Sequence, residues 1–420
     1  MAVTKSNLTH KLALATSALL AHEAHSKQDE GSELYNKWEV DVGYLHYNEP
    51  DYISVDTYMA MINGNLSDKD SIKLGLVLDT LSGATPTGAL PSSESVTFGG
   101  ASGGNISASG SAGGTAPFND TRLAMDVIWG HEWERLIRTK SGAHVSVEGD
   151  YTSVGGSLAL ELDSEDRSIT YTIGGSSSSD KVSRTSEQTP APLTQSNAGT
   201  MYGAGHKNSY DLLLGISRVL NRRTVGMLNF TYSQSLGYHT DPYKVLSVAD
   251  ENDIPLIDGA TYENRPDSRE RFIFYSKIKH ELPKNGHHLG LSYRFHTDSW
   301  DLNSHTIEGT YGFPIFESHR LEPFARIYSQ QAAKFYTKTL AYDGASTWEE
   351  ASENFPNYAS ADIRLANMTS ATLGAKFQYK TSKKGSIDLR LAYYYRDYKD
   401  AVVSNDDAIF AVIDFGKSFD

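Results

Sequence analysis

The segment DLNSHTIEG, beginning at Asp301, holds Asp301, Ser304 and His305 in close succession. These are the residue types of an acyl-transfer triad, in which His takes the proton of a Ser hydroxyl and a carboxylate orients the ring. The spacing speaks against that chemistry. Successive side chains of an extended chain point to opposite faces, so Ser304 and His305 cannot act on each other as nucleophile and base. The G-x-S-x-G turn that presents a nucleophile is missing as well. His287, His288 and His296 form the densest histidine group. Adjacent histidines diverge in the same way, and a metal needs three or four converging ligands. GGASGG from Gly99 lacks the Lys-Ser/Thr pair and the helix of a phosphate loop. The acidic segment SVADENDIPLIDG from Ser247 to Gly259 lacks EF-hand spacing. The chain has no cysteine, which removes thiolate metal sites, thiol nucleophiles and iron–sulfur clusters. The expectation is a protein without catalytic residues, cofactor or metal ligands.

What remains is a set of charges at regular positions. Glu39, Asp41, Lys73, Asp79, Arg122, Asp126, Glu148, Asp150, Glu161, Asp211, Arg294, Arg326, Asp388, Arg390, Arg396 and Asp414 alternate with apolar residues. In KWEVDVGYLHY, Trp38, Val40, Val42 and Tyr44 take one side and Glu39, Asp41 and Gly43 the other. SIDLRLAYYYRDY opposes Ile387, Leu389, Leu391, Tyr393 and Tyr395 to Asp388, Arg390, Tyr394 and Arg396. A period of two is the mark of strands with one apolar and one polar face. If the apolar face meets lipid, the charged face lines an interior. There it either closes the space by pairing across it or surrounds a hydrated passage and sets its ion preference.

About sixteen such runs follow one another, beginning near residues 36, 52, 70, 120, 140, 154, 166, 207, 222, 269, 286, 302, 318, 365, 384 and 406. Counted in order, the even connections are all short: 65–69, 135–139, 163–165, 220–223, 282–286, 314–317 and 381–384. Every long one is odd: 83–119, 176–206, 237–268 and 337–364. Alternate connections of an up-and-down sheet lie at opposite ends, so all long loops fall at one end. Short periplasmic turns with long outer loops define a transmembrane barrel. Lipid leaves exposed backbone unpaired, so the sheet must close. LVLDTLSGATPTGALPSS from Leu76 reads as a strand running out at the outer rim into Gly83, Pro86, Gly88 and Pro91. Phe98 to Gly114 reads as a flexible loop. The chain has 25 Tyr against 5 Trp. Tyr44, Tyr47, Tyr58, Tyr151, Tyr232, Tyr311, Tyr328 and Tyr336, near strand ends, are expected to form aromatic girdles.

The longest apolar run, Leu12 to Ala21, is too short to span a membrane as a helix. Preceded by Lys5 and Lys11 and followed by Ala24-His25-Ser26, it reads as a secretory signal peptide over 1–26, leaving a barrel over 27–420. A net charge of −14 without clustered Lys and Arg argues against a nucleic-acid partner. The last run, AIFAVIDFGKSF, ends on Phe419, the kind of C-terminal strand read by the barrel-assembly machinery, although Asp420 follows it.

SGATPTGALPS, FGGASGG, FNDTR at Phe118, DYTSVGGSLAL at Asp150, GYHTDPYKVLSV at Gly237, YENRPDSRERF at Tyr262, LSYRFHTDSWDLNSHTIE at Leu291 and LEPFARIYSQQAAKFY at Leu321 together resemble one family. It is an uncharacterised family of bacterial outer-membrane β-barrels. The resemblance implies the barrel and the compartment, and a possible periplasmic redox partner, since members are thought to occur beside flavin-attachment and redox proteins. It implies no reaction, ligand or catalytic residue. The expected function is a channel or transport component for an unidentified solute. The lining candidates are Lys73, Asp79, Arg122, Asp126, Asp211, Arg294, Arg326, Asp388, Arg390 and Arg396, and the surroundings are lipid and lipopolysaccharide. A structural sheath around a redox complex is the alternative, and a hydrolase a more distant one.

Overall fold

In a computed structural model of the chain, the described residues are 38–419 except 51, 91–95, 100–104, 109–114, 185–186, 197–198, 284–285, 343, 346 and 383–384. The signal peptide expected over 1–26 lies outside them. Sixteen antiparallel strands form a closed barrel. They are β1 (Trp38–Asn48), β2 (Ile53–Asn65), β3 (Asp70–Pro86), β4 (Thr115–Glu134), β5 (Ile137–Val147), β6 (Tyr151–Asp163), β7 (Ile169–Val182) and β8 (Gly205–Asn221). The second half is β9 (Thr224–Gly237), β10 (Ser268–Glu281), β11 (His288–Asp298), β12 (Asn303–Phe316), β13 (His319–Gln330), β14 (Asn367–Ser382), β15 (Gly385–Lys399) and β16 (Asn405–Phe419). β1 and β16 close the sheet in register from Trp38↔Phe419 to Asn48↔Ile409. Each strand is long enough: 11 residues at ~3.3 Å, tilted ~45°, cover the ~25 Å apolar band of such a barrel.

The apolar face points outward. Val42, Leu76, Leu78, Leu158, Leu214, Leu291, Ile327, Leu373 and Leu391 are exposed in a molecule that would bury them if its solvent were water on all sides. Backbone ladders and this outward belt hold the wall together. The girdle expected of eight tyrosines is corrected to half of them. Tyr44 meets Tyr58 in a tilted pair at 5.3 Å, Tyr232 meets Phe272 likewise at 5.2 Å, and Tyr311 faces out. Tyr47, Tyr151 and Tyr328 have the opposite parity, and Tyr336 belongs to a loop. Trp133, Phe316 and Phe419 are exposed near the turn end.

The long loops begin later, or end sooner, than their breaker residues suggest. β3 stays paired with β4 from Asp70↔His131 to Pro86↔Thr115, so that loop covers 87–114 rather than 83–119. Gly83 takes φ +121°, where a Cβ would strike the Tyr52 carbonyl, and so carries the ladder on instead of ending it. The serines Ser176–Ser179 remain in β7, and the next loop is 183–204 rather than 176–206. The last long loop is wider than expected, 331–366 rather than 337–364. The segment expected to be flexible, 98–114, lies largely outside the described residues, and a short hairpin, Val96–Gly99 with Asn105–Ala108, overlaps the part that is described.

These loops fold against one another. Val245–Ala249 pairs antiparallel with Pro255–Tyr262 and parallel with Thr339–Ala341. Leu246, Val248, Leu340, Ala351, Ala359 and Ala361 form a buried cluster beneath them. Trp300, Leu302, Ala333, Phe335 and Leu365 form another. A short helix, α1 (Trp348–Ser352), starts on Thr347, which accepts from the Glu350 N–H at 3.4 Å. The loop 87–114 is sewn in by Leu90 N–H to Ser247 Oγ at 2.9 Å and Val245 N–H to Thr87 O at 2.9 Å.

Candidate functional site

The inner wall is set by parity. Every residue opposite the outward apolar rows faces inward, and cross-strand partners share a face. Asp79 and Arg122 are register partners of β3 and β4, and Arg122 Nε donates to Asp79 at 2.6 Å. Asp126 faces His144 Nδ1 at 2.6 Å. Arg326 Nε donates to Glu308 at 2.8 Å. Asp388 meets Lys376 at 2.9 Å. Arg396 reaches Glu49 at 2.5 Å and also holds Asp406. Asp211 accepts from Ser176 Oγ at 3.1 Å. Glu161 is bound by Lys140 at 2.5 Å and Arg138 at 3.2 Å. Glu148 and Asp150 lie beyond the strands, in the connection between β5 and β6.

Lys73, Arg294 and Arg390 share this inward parity but have no ion pair among the described residues. The Arg390 guanidinium lies 5.9 Å over the Phe324 ring. Arg271, on the same arc of wall, is buried and its Nε has no hydrogen-bond partner among the described residues. At the seam, Asp41 and Asp414 are accommodated by glycine. A Cβ on Gly43 would collide with the Asp414 carboxylate, and one on Gly416 would come 2.6 Å from Asp41 Oδ1. The wall is therefore uneven. Arg269, Arg271, Lys277, Arg294, Arg320 and Arg326 crowd β10 to β13, while Asp41 and Asp414 mark β1 and β16.

Sequence reasoning missed Arg138, Lys140 and Asp163, although Arg138, Lys140, Gly142 and His144 alternate visibly in IRTKSGAHV. Arg138 donates to Asp163 at 2.5 Å. It also missed Lys207, buried 3.1 Å from Asp180, because the serine-rich end of β7 hides its period.

The other sequence candidates are placed as follows. Ser304 is buried inward on β12, whereas His305 lies on the other face with Nδ1 2.8 Å from the Tyr293 hydroxyl. His287 pairs with Tyr311 and His288 with Glu322, on opposite faces of the sheet. In the acidic segment, Asp250 Oδ1 is occupied by the N–H groups of Asn252 at 2.9 Å and Ile254 at 2.8 Å, as a turn requires.

Above the wall the loops hold a buried ion network. Arg265 contacts Glu263 at 2.6 Å and Asp362 at 2.7 Å, and Arg364 reaches Asp241 at 2.7 Å. Burial raises the Glu263 carboxyl, with Arg265 opposing and Asp362 and Asp241 adding. Burial acts on Asp362 in the same direction, but Arg364, Lys244 and Arg265 outweigh it and hold that carboxyl well below the usual range. His239 joins loop to wall, with Nε2 2.7 Å from Ser235 Oγ and Nδ1 2.7 Å from Gly237 O. Burial, helped by Lys207, pushes its pKa down to about 3.

Several solved barrels have a similar overall course. A bacterial polysaccharide outer membrane secretin is 8% identical, with a TM-score of 0.48, covering 93% of this chain and all of its own. OccK3 (OpdO) of Pseudomonas aeruginosa is 6% identical with a TM-score of 0.42, covering 92% of this chain and 96% of its own. The CymD monoaromatic hydrocarbon channel is 10% identical with a TM-score of 0.38, covering 92% and 89%. At these scores the likenesses say nothing about ligand or role. No curated protein matches the chain. The family described as protein of unknown function (DUF3570) matches residues 9–409. Nearly the whole chain, loops as well as wall, is thus accounted for, and the chain belongs to the DUF3570 family.

Proposed function

We propose that the protein is a channel, or the barrel component of a transport system, passing a small charged solute across the outer membrane of a Gram-negative bacterium, without turnover or cofactor. One observation carries this reading: Arg294 and Arg390 face inward with no carboxylate partner among the described residues, between neighbours that are paired. Arg294 is half-buried, and a charge taken partly out of water without a counter-charge costs stability, whereas Arg390 is exposed on the inward face. A purely structural wall gains nothing by keeping one. A passage gains a weak, reversible site for an anion. The ten lining candidates act in this reading as two classes, charges tied by ion pairs or hydrogen bonds that hold the wall and unpaired cations that meet the solute. The loops 87–114 and 183–204 are the proposed gates. Lipid surrounds the belt and lipopolysaccharide the outer rim. Export by the signal peptide over 1–26 and insertion by the barrel-assembly machinery through β16 complete the proposed setting.

The packed loops favour a second reading, a closed sheath or scaffold for a periplasmic redox partner. Planar-bilayer recording of the purified, folded barrel separates the two. Discrete conductance steps with anion preference in a salt gradient, weakened by Arg294→Gln and reversed toward cations by Arg294→Glu, are expected. Silence of a folded barrel supports the sheath, and lipid hydrolysis by it the more distant enzyme.

A further inference from the structure

We propose that Asp120, Glu148 and Asp150 form a site for a hard divalent cation, Ca²⁺ in the first place, at the outer rim of the barrel. One carboxylate oxygen from each lies within 4.8 Å of the others. Oxygens that ligate Ca²⁺ at 2.3–2.6 Å are at most about 5 Å apart, whereas the shorter bonds of Mg²⁺ need a tighter set. Asp120 comes from β4, and the other two from the connection between β5 and β6. Gly149 between them donates its N–H to Asp120 Oδ1 at 3.4 Å, which draws the connection onto β4.

The local charge is out of balance. Among the described residues the nearby side-chain cation is Arg122, which is committed to Asp79 at 2.6 Å and approaches Glu148 only to 3.9 Å. One guanidinium thus stands among four carboxylates. Asp150 is 8% exposed, and its Oδ1 makes no hydrogen bond to any described residue. A separate observation points the same way. Tyr243, from the loop 238–267, is 9% exposed, and its buried hydroxyl faces Asp150 closely without reaching ordinary hydrogen-bond geometry to it or to any other described residue. Orphaned polar atoms of this kind are uncommon in native interiors and call for an explanation such as an ion. A hard cation answers both. It takes the carboxylate oxygens directly, and the phenol oxygen directly or through a bound water. Burial, with Arg122 opposing and Asp150 and Asp120 adding, pushes the Glu148 carboxyl up to about 7. The cation would fasten β4, the β5–β6 connection and the loop 238–267 to one point. This inference stands whether or not the barrel conducts.

The test uses the mature protein folded in detergent free of lipopolysaccharide, stripped with chelator and titrated with Tb³⁺ under tyrosine excitation. Sensitised emission that Ca²⁺ displaces is expected. Glu148→Gln with Asp150→Asn should weaken both ions at least about tenfold, with folding checked by heat-modifiable migration. Tyr243→Phe should lower the emission amplitude in the folded protein. If the double variant does not fold, Asp150→Asn alone serves. Wild-type protein without emission, or emission and Ca²⁺ displacement undiminished in the folded carboxylate variant, overturns the site.

Discussion

The spanning wall and the outer loops are built on opposite plans. The wall turns its apolar side chains outward and its charges inward, and its cohesion comes from strand ladders closed without an edge. The loops have an ordinary interior, with Leu246, Val248 and Leu340 buried beneath a three-stranded sheet and charges bound as ion pairs. One chain therefore answers two solvents. Where lipid is the solvent, backbone pairing is obligatory and apolar side chains need no partners. Where water is the solvent, loops stay put only if side chains find one another.

If the two regions are separable, substitutions should act on one and spare the other. The largest effect is expected for Arg265→Met, which strips the cation from Glu263 and Asp362 at full burial and costs ~3–5 kcal/mol of loop stability. Hydrogen exchange and limited proteolysis of 238–267 and 331–366 should show the loss, while the heat-modifiable migration of the barrel stays unchanged. Equal loss in both regions breaks the comparison. Leu158→Arg tests the other side. At 60% exposure on the outward face, it should cost ~2–4 kcal/mol in bilayer refolding near the midplane and leave loop protection intact. Gly83→Ala acts where the wall hands over to loop. Its φ of +121° and the Tyr52 carbonyl set an expected cost of ~1–3 kcal/mol, read as a lowered melting temperature in detergent.

The smallest effect is a pH profile with chelator present. The depressed His239 pKa makes the folded state resist a proton that the unfolded chain accepts. Its contribution is present above 6.5 and lost as pH falls toward about 3. The raised Glu148 pKa has the opposite sign. Its contribution is present below 4.5 and lost as pH rises to about 7. Each slope is at most ~1.4 kcal/mol per pH unit. Loop protection should thus be nearly flat from 4.5 to 6.5 and decline on either side. Glu148→Gln should remove the decline above 6.5, and a profile unchanged by it contradicts the assignment.

Misplaced readings share a cause. Gly83 and Pro86 look like strand breakers, yet their backbone stays paired because β4 runs alongside as far as Thr115. Tyr151 looks like a girdle residue, yet it is buried in the wall beside Val182. Asp150 looks like a lining residue, yet the strand before it has already ended at Val147. In each instance residue type is a weaker guide than register, and register depends on the neighbouring strand.

The sequence by itself determined the number of strands, the face that each presents to lipid and the end that bears the long loops. Those properties follow from a period of two and from connection length, which are local, and from a solvent that tolerates no open edge. Only the tertiary structure decided which inward charges are paired, which cations stand alone and how the loops share a core. Leu90 meets Ser247, and Arg265 meets Asp362, across long stretches of intervening chain. No local pattern encodes which of many compatible partners closure of the barrel will bring within reach.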